Sequence, residues 1–211
     1  MTGEIDSIVS QSTDIYGWAV NEDARQIALA SEALGDNPVI VEVGVFMGRC
    51  TCLLAGARKL KGSGKVHCID PFDCSGDAFS IPYYEKALME TGQSSLEAVF
   101  WANMRGCGVD GLVEVHKGKA ADIARTWSSP VDLLLLDGDQ SPKGAREAFE
   151  TWLPFLKPGG TIILRNTKDK KHAEGHDGHR RLVVEELVPP RFADKRQVGA
   201  TTFAIKTAMA T

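Results

Sequence analysis

The stretch "VIVEVGVFMGRCTCLLAGARKL", Val39 to Leu60, decides the fold of this 211-residue chain. It runs from apolar residues to an acid, Glu42, then to two glycines four positions apart, Gly44 and Gly48, and on to apolar residues at helical spacing. A strand, a tight turn and a helix in this order predict the first unit of an α/β sheet. The turn would lie beyond the carboxyl end of the strand, where open α/β sheets bind ligands.

Further short aliphatic runs alternate with helix-compatible segments along the chain. The runs are "KVHCIDPF" from Lys65, "LVEVHKG" from Leu112, "VDLLLLDGD" from Val131 and "GGTIILRN" from Gly159. Near the end, "RFADKRQV" and "TTFAIKT" flank a glycine and predict an antiparallel hairpin. We therefore predict a Rossmann-like, doubly wound α/β fold. It has a mostly parallel seven-stranded sheet, helices on both faces and a C-terminal antiparallel hairpin.

Composition narrows the classes of function. With 43% hydrophobic residues, we predict one domain over residues 1–211, made of an N-terminal helical cap at 1–37 and a Rossmann-like core at 38–207. The net charge of -4 argues against nucleic acid as a partner. The five cysteines have no zinc or disulfide spacing, and the chain shows neither an export signal nor a membrane-spanning run. We expect a cytoplasmic protein that acts on small molecules away from membranes; a homodimer stays open.

The glycine loop has a spacing, Glu-x-Gly-x-x-x-Gly, that differs from the dinucleotide fingerprint and from a P-loop. It therefore disfavours NAD and ATP, and it leaves open a glycine turn that serves packing alone. About 20 residues beyond the loop, Asp70 ends the second predicted strand, where an acid can accept hydrogen bonds from ribose hydroxyls. After the third strand, the small residues Gly118 and Ala120 would leave room for a flat adenine ring.

The order of these motifs resembles the class I S-adenosylmethionine-dependent methyltransferases. "VEVGVFMGRCT" is similar to the cofactor loop of that family, "IDPF" to its ribose-binding strand end, and "DLLLLDGDQS" and "LPFLKPGGTIIL" to its fourth and fifth strands. Within the class, the chain is most similar to small O-methyltransferases of the macrocin and cephalosporin-modifying type. The resemblance implies S-adenosyl-L-methionine as cofactor and methyl transfer, most often to oxygen, on a small molecule.

The resemblance also implies cofactor-binding residues. Glu42 would fix the amino-acid end, the backbone from Val43 to Gly48 would line the cofactor, and Asp70 would bind the ribose. Pro71 and Ala120 would flank the adenine. The whole implied set is Glu42, Val43, Gly44, Gly48, Cys50, Asp70, Pro71, Gly118, Lys119, Ala120 and Asp137. Glu42 as an ordinary strand-end carboxylate and Ala120 as a plain helix residue remain the alternatives.

The chain departs from the metal-using relatives at two places. Those relatives bind Mg²⁺ through acids that end the fourth and fifth strands, and a Lys or His after the fourth strand assists. Here Asp137 is present, but Gln140 stands in place of the assisting base and Arg165 in place of the fifth-strand acid. We therefore predict no metal-binding residue and no use of that divalent metal. Arg165 would supply positive charge in its place, to hold an anionic group of the substrate or to lower the pKa of a nearby hydroxyl; a structural salt bridge to Asp137 is the alternative.

The tract "KDKKHAEGHDGHRR" contains three histidines, His172, His176 and His179. A zinc or copper site is one interpretation. We favour a lid that closes over the substrate and brings one histidine, His176 or His172, into the role of the missing base. Asp139 is a weaker candidate for that role. The predicted catalytic residues are thus Asp137, Arg165 and His176.

Aromatic residues mark two further segments. In "CSGDAFSIPYYEKAL", Phe79, Tyr83 and Tyr84 predict either a substrate wall or a small satellite core. Gly17 and Trp18 resemble the N-terminal helix that lies over the site in small O-methyltransferases, and we expect Trp18 to be buried against the sheet. Two rival functions remain: a cofactor-binding protein that has lost catalysis, which turnover would exclude, and an NAD(P)-linked or nucleotide-sugar enzyme, which the loop spacing disfavours.

Overall fold

The computed structural model describes residues 2–208. They fold around one seven-stranded sheet. The strands are β1 (Val39–Val43), β2 (Lys65–Asp70), β3 (Val113–Lys117), β4 (Val131–Leu136), β5 (Leu156–Leu164), β6 (Phe192–Val198) and β7 (Thr201–Lys206). Their spatial order is β3-β2-β1-β4-β5-β7-β6. The pairs among β1 to β5 are parallel, whereas β7 runs antiparallel to both β5 and β6. The predicted fold class is confirmed.

Eight α-helices connect and cover the strands within residues 2–208. They are α1 (Thr2–Ser12), α2 (Asn21–Glu32), α3 (Arg49–Lys61), α4 (Ile81–Glu90), α5 (Leu96–Gly106), α6 (Ala120–Ala124), α7 (Pro142–Trp152) and α8 (Gly178–Glu185). Helices α1 and α2 fall in the segment predicted as a helical cap. Helix α4 lies in a segment for which the sequence pattern specified no helix.

The sheet is buried on both faces, which explains the nearly continuous apolar runs of its central strands. In β4, Leu133 and Leu135 point to one face, and Leu134 and Leu136 point to the other; all four are fully buried. Apolar residues of α1 to α5 cover the first face, and those of α6 to α8 cover the second. Parallel strands between two helical layers leave their carboxyl ends as the open edge of the sheet.

Local capping sets where several helices begin and end. Ser95 and Ser141 accept hydrogen bonds from the backbone amides of Ala98 and Gly144, and so cap α5 and α7 at their N-termini. Helix α3 ends at Gly62, which adopts the left-handed conformation at φ +70°. No helix in residues 2–208 combines the length and the apolar character that crossing a membrane requires.

Candidate active site

A cavity of about 1030 Å³ opens at the carboxyl ends of β1, β2 and β4. Small-molecule sites have volumes of about 300–1,000 Å³, so this one can hold a cofactor with part of a substrate. Most of the residues predicted from the sequence line it: Glu42, Val43, Gly44, Cys50, Asp70, Pro71, Gly118, Lys119, Ala120, Asp137, Arg165 and His176. The sequence motifs, which are far apart along the chain, therefore meet around one space.

The two glycines of the loop have different roles. Gly44 has φ +82°, and a Cβ atom there would lie 2.3 Å from the Cα atom of Gly138, so the close approach of the loops after β1 and β4 requires glycine. Gly48 has φ +91° and starts α3, where a Cβ atom would meet the side chain of Met104 at 2.5 Å. Gly48 is not among the described residues that line the cavity. This glycine packs against Met104 and Phe100 of α5, and its part in cofactor binding stays a prediction.

Asp70 holds the glycine loop in place. Its Oδ2 atom accepts hydrogen bonds from the backbone amides of Val45 at 2.9 Å and Phe46 at 3.0 Å, and Oδ1 accepts one from Phe72 at 2.7 Å. Burial raises the pKa of this carboxyl, and the three amides oppose that rise. A carboxylate has about four acceptor positions, so one remains for a further donor such as a ribose hydroxyl.

Glu42 and Cys50 lie on the inner side of the cavity. Glu42 is buried and accepts a hydrogen bond from the Thr51 hydroxyl at 2.7 Å; burial raises its pKa well above the usual range, while Thr51 and Arg165 oppose the rise. Burial likewise raises the pKa of the Cys50 thiol, which is therefore neutral. A neutral thiol is a weak donor, so Cys50 contributes shape more than a hydrogen bond.

Arg165 links the cavity to the N-terminal segment. Its guanidinium is 3% exposed; Nε lies 3.4 Å from Asp137 Oδ2, and Nη1 donates to Asp23 Oδ2 at 3.1 Å. Nη1 also donates to the Thr201 hydroxyl. The predicted alternative of a salt bridge to Asp137 is therefore present, and Arg165 lines the cavity as well. Burial raises the pKa of Asp137 to about 6, although Arg165 opposes that rise.

The side chains around Asp137 do not fit a hard divalent ion. Mg²⁺ prefers several oxygen ligands, but the carboxylate of Asp137 faces a guanidinium. The amide of Gln140 is buried, and its Nε2 atom lies 3.4 Å from Asp137 Oδ1. Within residues 2–208, Gln140 Oε1 has no hydrogen-bond partner although it is buried at the cavity. This atom could accept a hydrogen bond from a bound hydroxyl or ammonium group.

A carboxylate and an imidazole form a pair on the opposite wall of the cavity. His176 Nδ1 lies 2.9 Å from Asp77 Oδ1, and the imidazole contacts the Phe79 ring at 4.6 Å between centroids, with the two planes tilted by 44°. Burial alone would raise the pKa of Asp77, but hydrogen bonds from His176 and Ser80 lower it to about 2. An ionised carboxylate only accepts hydrogen bonds, so Nδ1 of His176 carries the proton. In the neutral ring, Nε2 then has a lone pair that can accept a proton.

The other histidines of the tract have separate partners. His172 Nε2 contacts the Lys168 carbonyl at 2.9 Å, whereas His179 is buried and its Nδ1 contacts the Arg165 carbonyl at 3.0 Å. Burial lowers the pKa of His179 to about 4, which keeps its ring neutral. The three histidines therefore do not converge on one point, and the zinc or copper interpretation of this tract finds no support in the geometry.

Four aromatic rings line one side of the cavity mouth. Phe46 lies between Trp18 at 5.5 Å and Tyr84 at 5.0 Å, and Tyr16 meets Trp18 edge-on at 5.6 Å. The expected burial of Trp18 against the sheet is wrong, because its side chain is 49% exposed and lines the cavity. Gly17 and Trp18 lie in the loop between α1 and α2, and Arg49 fixes this loop by donating to the Gly17 carbonyl at 2.5 Å.

The segment around Phe79, Tyr83 and Tyr84 also faces the cavity, which favours the predicted substrate wall over a satellite core. Phe79 and Tyr83 keep 42% and 48% of their surface exposed. Sequence reasoning missed Asp77 and Asp23. Asp77 had a local signal, since it precedes Ser80 and accepts from the Ser80 amide at the start of α4, but that signal indicates only a helix start.

Comparison with known proteins identifies the family to which the chain belongs. A sequence profile described as a methyltransferase domain matches residues 41–167, which is more than half of the chain. Three solved structures share the fold: cofactor-bound Rv0187 from MTB (TM-score 0.65, 18% identity, 97% of this chain and 89% of that one); the O-methyltransferase TomG from Streptomyces achromogenes in complex with SAM (0.62, 20%, 97% and 90%); and an O-methyltransferase from Bacillus cereus in complex with SAH (0.62, 17%, 97% and 91%).

The profile match begins within β1, includes the glycine loop and Asp70, and ends just after Arg165. It thus spans the elements that build the cavity. Identities near 20% show a shared fold only, so the activities and ligands named for these three proteins are theirs. The profile, by contrast, matches this chain directly, and the chain belongs to the class I S-adenosylmethionine-dependent methyltransferases.

Proposed function

We propose that this protein transfers the methyl group of S-adenosylmethionine to a hydroxyl oxygen of a small, anionic molecule, and that it does so without a divalent metal. The observation that carries the proposal is that His176, which lines the same cavity as the predicted cofactor residues, is paired with the buried carboxylate of Asp77. The candidate base and the cofactor loop therefore line the same cavity. Two proteins of similar structure are O-methyltransferases, which supports oxygen as the acceptor.

The cavity suits a zwitterionic cofactor that carries a ribose. Asp70 keeps an acceptor position for a hydroxyl, while Glu42 and the unpartnered Gln140 Oε1 offer acceptors for an ammonium group. Pro71 and Ala120 also line the cavity and provide apolar surface for the adenine ring. S-adenosylmethionine, when bound, supplies an activated methyl carbon on a sulfonium, so the protein has to orient an acceptor and remove its proton.

His176 would perform the proton step. With Nδ1–H donated to Asp77, the Nε2 lone pair would accept the proton of the acceptor hydroxyl while the oxygen gains the methyl group and the carbon–sulfur bond of the cofactor breaks, which leaves S-adenosylhomocysteine. The charge of Asp77 stabilises the imidazolium that forms, in the way a carboxylate supports histidine in other acid–base pairs. Phe79 holds the plane of the ring.

An anionic acceptor is supported by the cations at the mouth of the cavity. Lys170 and Lys171 line it and are exposed, so their ammonium groups are available to a carboxylate or phosphate. Arg165 is less suited to that task than the sequence suggested, because Asp137 and Asp23 already engage its guanidinium. We assign Arg165 the role of holding Asp137 in place. The aromatic rings of Trp18 and Phe46 favour a flat or apolar body in the acceptor.

The donor set at the carboxyl ends of β4 and β5 supports the proposed metal independence. Asp137 faces Arg165 where the metal-using relatives have a second acid, so a dication would have to displace a guanidinium. Asp77 and His176 supply a base that needs no metal to lower the pKa of the substrate hydroxyl. The proposal therefore routes no step through a metal ion.

The direct test is calorimetric titration with S-adenosylmethionine and with S-adenosylhomocysteine, in EDTA and in Mg²⁺. We expect saturable binding of both that is the same in either buffer. A screen of hydroxylated aromatic acids with the bound cofactor, read by mass spectrometry, should then yield a methylated product. Binding without any product across the screen would favour the rival function, a cofactor-binding protein without catalysis. Absence of binding would contradict the proposal.

A further inference from the structure

Three side chains that can bind a metal converge on the edge strand β3 and its neighbour β2, away from the cavity. His67 is on β2, and Glu114 and His116 are on β3; His67 Nδ1 lies 3.1 Å from His116 Nε2. Glu114 Oε1 lies 4.0 Å from the first nitrogen and 3.7 Å from the second. None of the three residues lines the cavity of the candidate active site. Within residues 2–208, this is the one group of three such ligands with atoms all within 4.8 Å.

The sheet register produces this convergence. His67 is the direct partner of Glu114 in the parallel β2–β3 pair, and His116 follows two residues later, so all three point to one face of the sheet. Trp127 closes one side, with its ring edge-on to His67 at 4.9 Å and to His116 at 5.5 Å. The side chains stay 17%, 24% and 47% exposed for His67, His116 and Glu114, so a hydrated ion can reach them.

We propose that His67, Glu114 and His116 form a binding site for a divalent transition metal of the zinc class. Two imidazoles and a carboxylate are a common donor set for zinc, and a fourth position would be left to water. Tetrahedral bonds of about 2.0–2.1 Å place neighbouring ligand atoms about 3.3 Å apart. The two nitrogens already have nearly this separation, and rotation of the half-exposed Glu114 side chain brings its oxygen closer.

The charges around the cluster support binding at one oxygen of Glu114. Lys65 Nζ lies 3.8 Å from Glu114 Oε2, so Oε2 faces an ammonium while Oε1 faces the histidines. Without an ion, one imidazole must donate to the other across the 3.1 Å contact. A metal replaces that single hydrogen bond with three bonds and connects β2 to the edge strand β3. The site would therefore stabilise the sheet edge and leave methyl transfer unchanged.

Calorimetric titration of chelator-treated protein with zinc chloride tests the proposal. We expect one saturable site in the wild type, and a loss of affinity of at least about tenfold in His116→Ala and in His67→Ala, because even outer partners of metal ligands contribute about 10–100-fold. His172→Ala, at an exposed histidine contact of the loop before α8, is the matched control and should bind as the wild type does. Cys74→Ser, at the one cysteine that is not buried, should do the same.

A second readout separates binding from a change in fold. Zinc should raise the melting temperature of the wild type, since a ligand that binds only the folded state stabilises it, and should leave that of His116→Ala unchanged. S-adenosylmethionine titration of His116→Ala should match the wild type and so show that the cavity is intact. No zinc binding in the wild type would overturn the proposal, and so would equal affinity in the wild type and in both histidine variants.

Discussion

The two walls of the cavity are built in different ways. On the cofactor wall, the glycine loop is held by the next strand along the chain: Asp70 holds the amides of Val45 and Phe46, which are 25 and 24 residues away. The opposite wall depends on distant pairs, since Asp77 meets His176 across 99 residues and Asp23 meets Arg165 across 142. Short-range motifs thus describe the first wall, whereas the second exists only after the whole sheet has formed.

The largest expected effect falls on the distant pair. In His176→Gln, kcat should fall by about 10²–10⁴-fold, the usual contribution of a general base, while the affinity for S-adenosylmethionine stays the same. Asp77→Asn should lower kcat less, because the imidazole remains but loses its charged partner. Steady-state kinetics and cofactor titration of both variants measure this. An unchanged kcat in His176→Gln would remove the base from the proposed function.

A substitution on the cofactor wall should lower the affinity for S-adenosylmethionine, which the His176 substitution leaves unchanged. Asp70→Asn replaces one acceptor oxygen with an amino group that faces backbone N–H donors, so the loop is left with unpaired amides at about 1–3 kcal/mol each. We expect the affinity for S-adenosylmethionine to fall about 10–100-fold. Asp73→Asn is the control, because Asp73 is exposed and its hydrogen bonds are local ones, to Ser75 and to its own backbone. Equal affinities in the two variants would contradict the role of Asp70.

Acid stability can test whether the distant pair forms at all. The folded-state pKa of Asp77 is about 2, below its usual 3.8, so its stabilisation is complete above pH 3.8 and is lost as the pH falls towards 2. This contribution is about 2 kcal/mol. Unfolding experiments at several pH values should show a shallower loss of stability in Asp77→Asn than in the wild type. Asp139→Asn, at an exposed acid, should retain the steep wild-type loss.

The smallest effect is expected at the aromatic rings of the mouth. Trp18→Ala removes contacts with Phe46 and Tyr84, and an aromatic pair contributes about 0.5–1.5 kcal/mol. The KM for an aromatic acceptor should rise about twofold to tenfold with kcat unchanged. Trp18→Phe keeps an aromatic ring, so its KM should lie between those of the wild type and Trp18→Ala. A fall in cofactor affinity instead would assign Trp18 to the cofactor wall.

The sequence was sufficient for most of the fold. Strands buried on both faces appear as aliphatic runs, and "VIVEV" or "VDLLLL" can be recognised without any tertiary information. Helix α4 was missed because the aromatic residues of "IPYYEKALME" were assigned to a wall or satellite core, and the folded helix buries only Ala87 among its described residues. Trp18 was placed wrongly because a large apolar side chain predicts burial, whereas Arg49 holds its loop at the cavity mouth.

The residues of the site also fall into those that the sequence predicts and those that it does not. Gly44, Asp70 and Asp137 belong to motifs of fixed spacing at strand ends, so their meeting at one edge could be predicted. The partner of His176 could not, since nothing near Asp77 in the sequence points to a residue 99 positions away. The cluster of His67, Glu114 and His116 was equally hidden, because it depends on the register of two strands. Register is a property of the assembled sheet.

Methyl transfer in the presence of EDTA tests the central claim most directly. The wild type would be incubated with S-adenosylmethionine labelled in its methyl group and with hydroxylated aromatic acids, in EDTA and in Mg²⁺. Mass spectrometry would follow the transfer of the labelled methyl group to the acceptor. The proposed function predicts O-methylated product at the same rate in both buffers. Product that forms only with Mg²⁺ would contradict the metal-free mechanism built on Asp77 and His176.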